Sequence, residues 1–161
     1  MPKKTWNEKL NSSGDLPKVE KLANPKQIER CGTDTMVIAP PVEYDQLMKK
    51  VPAGRLTTID RMMHVTAEKH GAGCACPMTA GIFVKIAAYA NEERSCSPGG
   101  QNKKSETPWW RTLKKNGMLN EKFPDGIEGQ RGRLTAEGHK FIEKGKNCYV
   151  ENYEKKICRF R

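Results

Sequence analysis

Two helices joined by a short turn are encoded by residues 59–90, which read IDRMMHVTAEKHGAGCACPMTAGIFVKIAAYA. The first helix is predicted to end near His70-Gly71, and residues 72–76 form the turn. Pro77 suits the first position of the second helix. The positions predicted to share a buried face are Ile59, Met62, Met63 and Thr66 in the first helix, and Ile82, Ile86, Tyr89 and Ala90 in the second. This order of elements predicts a helix-turn-helix.

The flanking segments are predicted to complete a winged form of this motif. Residues 41–51 have the apolar spacing of a preceding helix. Residues 126–137 are predicted to form a closing helix, weakened by Gly129 and Gly132 and ended by Gly138. Residues 108–113 are expected to be extended and residues 118–120 to return as a short strand. With the turn at residues 114–117, they would form a basic hairpin, the wing.

The expected fold class is therefore mixed and helix-rich, with the winged helix-turn-helix domain over residues 41–139. Residues 1–40 are predicted to be an irregular arm, because Pro and Gly interrupt every periodic run there. Residues 140–161 are predicted to be a C-terminal extension, a short β hairpin with Phe141-Ile142 and Tyr149-Val150 as its strands.

The charge pattern favours a polyanionic partner. The 161 residues carry a net charge of +10, and residues 101–161 alone hold 15 basic and 8 acidic residues, a net charge of +7. A basic excess concentrated in one part of a chain is typical of nucleic-acid binding. A soluble basic protein with solvated lysines is the alternative interpretation.

The apolar content excludes a membrane protein, because no stretch approaches the ~18–20 apolar residues of a membrane span. The first residues lack the apolar core of a secretion signal, so we expect a cytoplasmic, nucleoid or nuclear protein that is not secreted. The six cysteines are therefore expected to be reduced thiols. The Cys74-Ala75-Cys76 pair alone is weak evidence for zinc, and no metal or other cofactor is expected.

Five motifs, in order, resemble the DNA-binding domain of the alkylguanine-DNA alkyltransferase family. VPAGRLTT at residues 51–58 resembles the family's (I/V)PxGxVxTY loop, and PMTAG at residues 77–81 resembles its xRAVG helix start. PWWRT at residues 108–112 resembles the PCHRV active-site strand, and KNG at residues 115–117 the turn after it. Gln130, Leu134 and Ala136-Glu137-Gly138 resemble the closing helix. The resemblance covers about residues 42–139 and implies that fold.

The departures from these motifs bear on activity. The family's alkyl acceptor is the cysteine of PCHRV, activated by the next histidine, and here Trp109 and Trp110 hold those positions. An indole offers no comparable nucleophile, so we expect no catalytic residue. In this substitution the chain resembles the non-catalytic alkyltransferase-like proteins, which also carry tryptophan in place of the acceptor cysteine. Ile59 replaces the family's nucleotide-rotating tyrosine, and Met78 its base-replacing arginine.

Two sets of residues are candidates for DNA contact. A lesion pocket would be bordered by Trp109, Trp110, Ile59 and Met78, with the tryptophans as core residues in the alternative interpretation. Phosphate and groove contacts are expected from helix-start hydroxyls and from the basic residues around the tryptophan pair. These candidates are Thr57, Thr58, Thr79, Lys85, Lys103, Lys104, Arg111, Lys114 and Lys115.

The resemblance implies a non-catalytic DNA-binding protein in or near DNA repair, with duplex DNA as its main partner. A repair protein is a possible second partner, membranes are not expected, and the chain is expected to be a monomer. Two alternatives stay open. One is an interaction module that kept the fold but lost damaged-base capture. The other is a cysteine-dependent alkyl transferase whose nucleophile has moved, with Cys74 or Cys76 as candidates.

Overall fold

The computed structural model describes residues 3–96 and 106–159, and it is a mixed α/β fold that is about half helical. Its helices are α1 (Trp6–Asn11), α2 (Pro25–Cys31), α3 (Pro41–Lys49), α4 (Ile59–Lys69), α5 (Pro77–Ser95) and α6 (Gly126–Ala136). Its strands are β1 (Lys18–Lys21), β2 (Thr35–Ile38), β3 (Thr57–Thr58), β4 (Cys74–Ala75), β5 (Thr112–Leu113), β6 (Phe141–Lys144) and β7 (Asn147–Val150). Short 3-10 turns cover Trp109–Arg111, Lys115–Gly117 and Tyr153–Lys156.

The described strands form three small sheets. β1 pairs antiparallel with β2, and β2 pairs parallel with β4, so that Val37 lies opposite Ala75. β3 and β5 pair in parallel, with Thr57 opposite Thr112. β6 and β7 form an antiparallel hairpin. The first two sheets join segments that are distant along the chain and thereby fix the two ends of α4.

The core is organised around α5. The inner face of this helix is made of small side chains that are fully buried: Ala80, Val84, Ala87, Ala88 and Ala90. Small residues let neighbouring helices approach closely, and α1 and α3 both pack on α5. Tyr44 and Met48 of α3 are buried against this core. Burial of side chains of that size stabilises the fold by about 1.5–3 kcal/mol each.

Four helices and the C-terminal hairpin are confirmed close to their predicted bounds. α3, α4, α5 and α6 occupy the segments that were predicted to be helical, and β6 and β7 form the predicted hairpin. The hydroxyl of Thr58 caps α4 by accepting a hydrogen bond from the Arg61 amide at 3.1 Å. One detail differs from the prediction: Ile82, predicted to be buried, is 50% exposed.

Residues 1–40 were predicted to be irregular, and that prediction is wrong for the described residues from 3 onward. α1 begins with a capping box in which the Thr5 hydroxyl accepts from the Glu8 amide and the Glu8 carboxylate accepts from the Thr5 amide. Trp6 stacks on Tyr89 of α5, with 4.7 Å between ring centroids. The Glu93 carboxylate accepts from the amides of Trp6 and Asn7. The arm is held in regular structure by contacts with residues of α5. These partners lie far away in the sequence, so local sequence patterns did not predict the structure.

The cysteines were predicted to be reduced, and the structure corrects this for two of them. Cys31, at the end of α2, forms a disulfide with Cys74, with 5.7 Å between their Cα atoms. The segment at residues 72–76, predicted to be a turn, contains β4 because it runs beside β2. The Cys76 amide donates to the Val37 carbonyl at 3.0 Å. The connection between α4 and α5 is therefore anchored to the N-terminal segment.

The predicted wing hairpin is wrong in its pairing. Residues 109–111 form a 3-10 turn instead of an extended strand, and β5 pairs with β3. Met118 does not pair back onto β5 as a strand. It forms an isolated antiparallel bridge with Tyr149 of β7. The partner of residue 118 is thus the C-terminal hairpin and not β5.

A substitution at Gly73 can measure how closely the N-terminal segment packs against the connection between α4 and α5. A Cβ at residue 73 would overlap the Thr33 side chain, whereas a Cβ at Gly81, within α5, would meet no atom within 4 Å. We expect Gly73→Ala to lower the free energy of unfolding by about 1–3 kcal/mol, because Thr33 and the backbone around it must shift. Gly81→Ala is the control and should raise the free energy of unfolding by about 0.5–1 kcal/mol. Urea denaturation measures both, and a neutral Gly73→Ala variant would contradict the close approach.

Candidate nucleic-acid interface and the tryptophan pair

The tryptophan pair lies in the core. Trp109 is 1% exposed and Trp110 is 6% exposed, and their rings meet edge to face with 5.7 Å between centroids. Each indole N–H donates to a carboxylate: Trp109 to Glu92 at 2.9 Å and Trp110 to Glu137 at 2.7 Å. Buried indoles need such partners, and the local turn at residues 109–111 supplies the geometry.

The faces of both indoles are covered by other side chains. The guanidinium carbon of Arg133 lies 5.0 Å from the Trp109 ring centroid and 4.8 Å from that of Trp110. Arg133 is held there by an ion pair of 2.9 Å with Glu92. Phe123 packs against Trp109, with 5.3 Å between centroids. A base therefore has no exposed indole face to stack on in this structure.

Arg111 serves the architecture rather than a ligand. Its guanidinium donates to both carboxylate oxygens of Glu137, at 2.8 to 3.1 Å, and to the Val51 carbonyl at 2.8 Å. Glu137 also accepts from the Gly54 amide at 3.3 Å. Burial alone would raise the pKa of Glu137, but the hydrogen bonds from Arg111, Trp110 and Gly54 hold it below its usual value of 4.5. Arg111 thus joins the loop before β3 to the end of α6.

The four residues predicted to border a lesion pocket are not brought together at an open site. Two of them, Trp109 and Trp110, are core residues, as the alternative interpretation had it. Ile59, at the start of α4, is partly buried and packs against the same core. Met78 is 75% exposed in the first turn of α5. Of the four, only Met78 is presented to solvent.

The predicted hydroxyl contacts are mostly engaged within the protein. Thr57 is fully buried in β3, and Thr58 caps α4. The Thr79 hydroxyl donates to the Cys76 carbonyl at 3.3 Å. None of the three presents a free hydroxyl at the surface. The hydroxyls of Thr58 and Thr79 form hydrogen bonds at helix starts, and that of Thr57 is covered in the β3–β5 pair.

The predicted lysine contacts differ among themselves. Lys85 lies over the ring of Tyr89, with 6.0 Å from its Nζ to the centroid. Lys114 pairs with Glu121 at 3.2 Å, and Lys115 is exposed. Lys103 and Lys104 lie outside the described residues.

A feature that the periodicity analysis missed is the outward stripe of α5, defined as Met78, Ile82 and Lys85. These side chains follow one another at one-turn spacing and continue to Tyr89, which Trp6 covers. The signal was available in the sequence: Ala80, Val84, Ala87 and Ala88 are also at helical spacing, on the other face. Two apolar faces compete in this helix, and the one with the smaller side chains packs into the core.

Four of the six cysteines are free thiols, and of these Cys96 is exposed and Cys158 is half-buried. Cys74 is in the disulfide, and Cys148 is buried, which raises its pKa above the usual 9.0. Cys76 is a half-buried free thiol at the N-cap of α5. Among residues 3–96 and 106–159, no group of three or more His, Cys, Asp or Glu side chains is arranged to hold a metal ion.

None of the helices in the described part of the chain is both long enough and apolar enough to cross a membrane.

No protein-family model matches the chain, and no curated protein sequence matches it. Two solved structures are similar to it. One is Schizosaccharomyces pombe Atl1 in complex with damaged DNA containing O6-carboxymethylguanine, at 16% identity and a TM-score of 0.49. The other is the S. pombe ATL protein in complex with DNA, at 14% identity and a TM-score of 0.46. Each match covers 74% of this chain and 94% of the other.

We expect acid to destabilise the fold, because both Glu137 and its neighbour His139 have pKa values shifted downward in the folded state. His139 is 4% exposed, and burial together with the nearby charge of Lys156 lowers its pKa below 6.5. A group whose pKa is lower in the folded state than in the unfolded state binds its proton preferentially after unfolding. Stability should therefore fall as the pH drops below about 6.5, and fall again below about 4.5 as Glu137 gains its proton.

Urea denaturation at pH 7.5, 5.5 and 4.0 measures these two steps. His139→Gln should remove much of the loss between pH 7.5 and 5.5, since glutamine has no proton to gain. His64→Gln, at an exposed histidine of α4, is the matched control and should keep the loss. An unchanged pH profile in His139→Gln would show that the titrating group lies elsewhere.

Proposed function

We propose that this chain is a non-catalytic DNA-binding protein of the alkyltransferase-like kind, which contacts duplex DNA through the N-terminal half of α5. The observation that carries the proposal is the outward stripe of α5. Met78 and Ile82 are 75% and 50% exposed, and Lys85 follows one turn later. Contiguous exposed apolar patches rimmed by polar residues mark interaction sites.

The chemistry of the stripe suits DNA. Apolar side chains act as wedges between base steps in several DNA-binding proteins, and Met is one of the residues so used. A lysine on the same face would neutralise phosphate charge. The position of the stripe supports this further, because PMTAG at residues 77–81 is the segment that resembles the family's DNA-inserted helix start.

The electrostatic balance agrees with such a partner. The net charge of +10 attracts a polyanion over a distance of about a Debye length, ~10 Å at 0.1 M salt. Each phosphate that is neutralised releases counterions, so the affinity should fall steeply as salt is raised.

Alkyl transfer is not part of the proposal. Trp109 stands at the acceptor position and is enclosed by Trp110, Phe123 and Arg133. The same enclosure supports duplex binding without capture of a damaged base at Trp109. Cys76, as a relocated nucleophile, is the remaining enzymatic alternative, and it predicts alkylation of that thiol when the protein meets alkylated DNA.

The second candidate function is an interaction module that has lost DNA binding. The exposed stripe supports it as well, because Met78 and Ile82 would also suit a protein partner. The two candidates differ in salt dependence, since only the DNA-binding protein should show a steep loss of duplex affinity with salt.

Fluorescence anisotropy with a labelled duplex at two salt concentrations tests the proposal. Met78→Ser should weaken binding by roughly tenfold, because the wedge is lost. Lys85→Gln should weaken binding and reduce the slope of log affinity against log salt by about 1. Lys26→Gln, at an exposed lysine of α2, removes the same charge from a different helix and is the control.

Two results would decide against the proposal. If the wild-type protein bound no duplex at low salt, the DNA-binding function would be wrong. If Lys26→Gln and Lys85→Gln weakened binding equally and Met78→Ser had no effect, the interface would not be on α5. A second duplex with an O6-alkylated guanine measures lesion preference, and we expect the two duplexes to bind equally.

A further inference from the structure

The C-terminal hairpin presents one face to the core and the other to solvent. In its register Phe141 pairs with Val150, and Ile142 pairs with Tyr149. Side chains alternate between the two faces of a strand. Val150 is 2% exposed on the inner face, while Ile142 is 41% exposed on the outer face, which it shares with Lys144.

A cleft of about 450 Å³ lies against this hairpin, and we name it the hairpin cleft. Its walls include Ile142, Lys144, Tyr149, Tyr153 and Asn116. Two contacts hold the walls in place. The ring of Tyr153 sits on Gly117, where a Cβ would overlap it, and the Met118–Tyr149 bridge joins the hairpin to the turn at residues 115–117.

The hairpin cleft combines aromatic rings with cations that have no carboxylate partner. The Lys144 Nζ lies 6.0 Å from the Tyr149 ring centroid. Within the described residues, no ion pair is formed by Lys144, by Lys115 beside the cleft, or by Lys146 in the hairpin turn. One carboxylate, that of Glu154, lines the cleft. Lys144 and Glu154 balance in charge on the lining itself, and Lys115, next to Asn116 in the sequence, adds one cation near the two phenol rings.

An unpaired nucleotide is the occupant that this combination fits. Aromatic rings stack on any base, and lysines beside them pair with the phosphates of a single strand. The volume lies within the range of small-molecule sites, ~300–1,000 Å³. The side-chain amides of Asn116 and Asn152 add hydrogen-bonding groups that a base edge can use.

We infer that the hairpin cleft binds an unpaired nucleotide of single-stranded DNA. The inference rests on the proposed DNA-binding function and adds a second DNA contact, which lies on the C-terminal hairpin. It also places an unpaired base where the protein has an open surface, since Trp109 and Trp110 are enclosed. An acidic peptide is the competing occupant, and the test below includes it.

The test compares binding of a labelled 12-residue oligothymidylate with binding of the labelled duplex. Tyr149→Leu removes the ring but keeps an apolar side chain in β7, and Lys144→Gln removes the cation. We expect each variant to weaken oligothymidylate binding about fivefold or more and to leave duplex binding unchanged. Tyr149→Phe keeps the ring and should bind as the wild type does. Lys26→Gln is the charge control, and thermal melting verifies that each variant is folded.

The outcomes separate this inference from the proposed function. If the wild type binds the duplex but Tyr149→Leu and Lys144→Gln bind oligothymidylate as well as Lys26→Gln does, the inference is wrong and the proposed function stands. If the wild type binds neither DNA, both are wrong. If oligoglutamate displaces oligothymidylate at equal concentration and binds Tyr149→Leu less well, the occupant is an acidic peptide and the inference is overturned.

Discussion

The close packing of other elements on the alanine face of α5 is the interaction on which the rest of the structure depends. α1 and α3 both pack on α5, and the first half of the helix keeps Met78 and Ile82 outward. The C-terminal half of α5 then supplies polar anchors. Asn91 accepts from the Thr107 amide at 2.8 Å, and Glu92 accepts from the Trp109 indole. One helix thus carries an exposed stripe at one end and fixes the tryptophan segment at the other.

The residues that carry the family resemblance are largely architectural. Gln130 is fully buried, accepts from the Asn120 amide, and donates to the carbonyls of Trp110 and Thr112. Leu134 is a core residue, and Glu137 joins Arg111 to Gly54. Such residues specify a fold through packing and hydrogen bonding. A resemblance that rests on them therefore bears on the architecture of the chain and not on its activity.

Sequence reasoning found the elements whose signals are local. Helical spacing and prolines at first positions located α3, α4 and α5, Gly138 marked the end of α6, and two apolar pairs located the hairpin. It missed β1 and β2 because a short strand is stabilised by its partner, and the partner of β2 in β4 is 38 residues further along the chain. It left Trp109 open between pocket and core because burial depends on Glu92, Phe123 and Arg133. The Cys31–Cys74 bridge was missed because it depends on the same long-range pairing.

The enclosure of the two tryptophans has a consequence for spectroscopy. The chain has three tryptophans, and Trp109 and Trp110 lie in a water-poor setting while Trp6 is stacked between Tyr89 and Lys9. Emission from the buried pair therefore reports on the integrity of the core and shifts when the core opens to water. A ligand on the outward stripe of α5 would leave that emission largely unchanged. The emission of Trp109 and Trp110 is accordingly a gauge of folding, whereas Trp6, stacked on Tyr89 at the end of the stripe, is the tryptophan placed to respond to a ligand there.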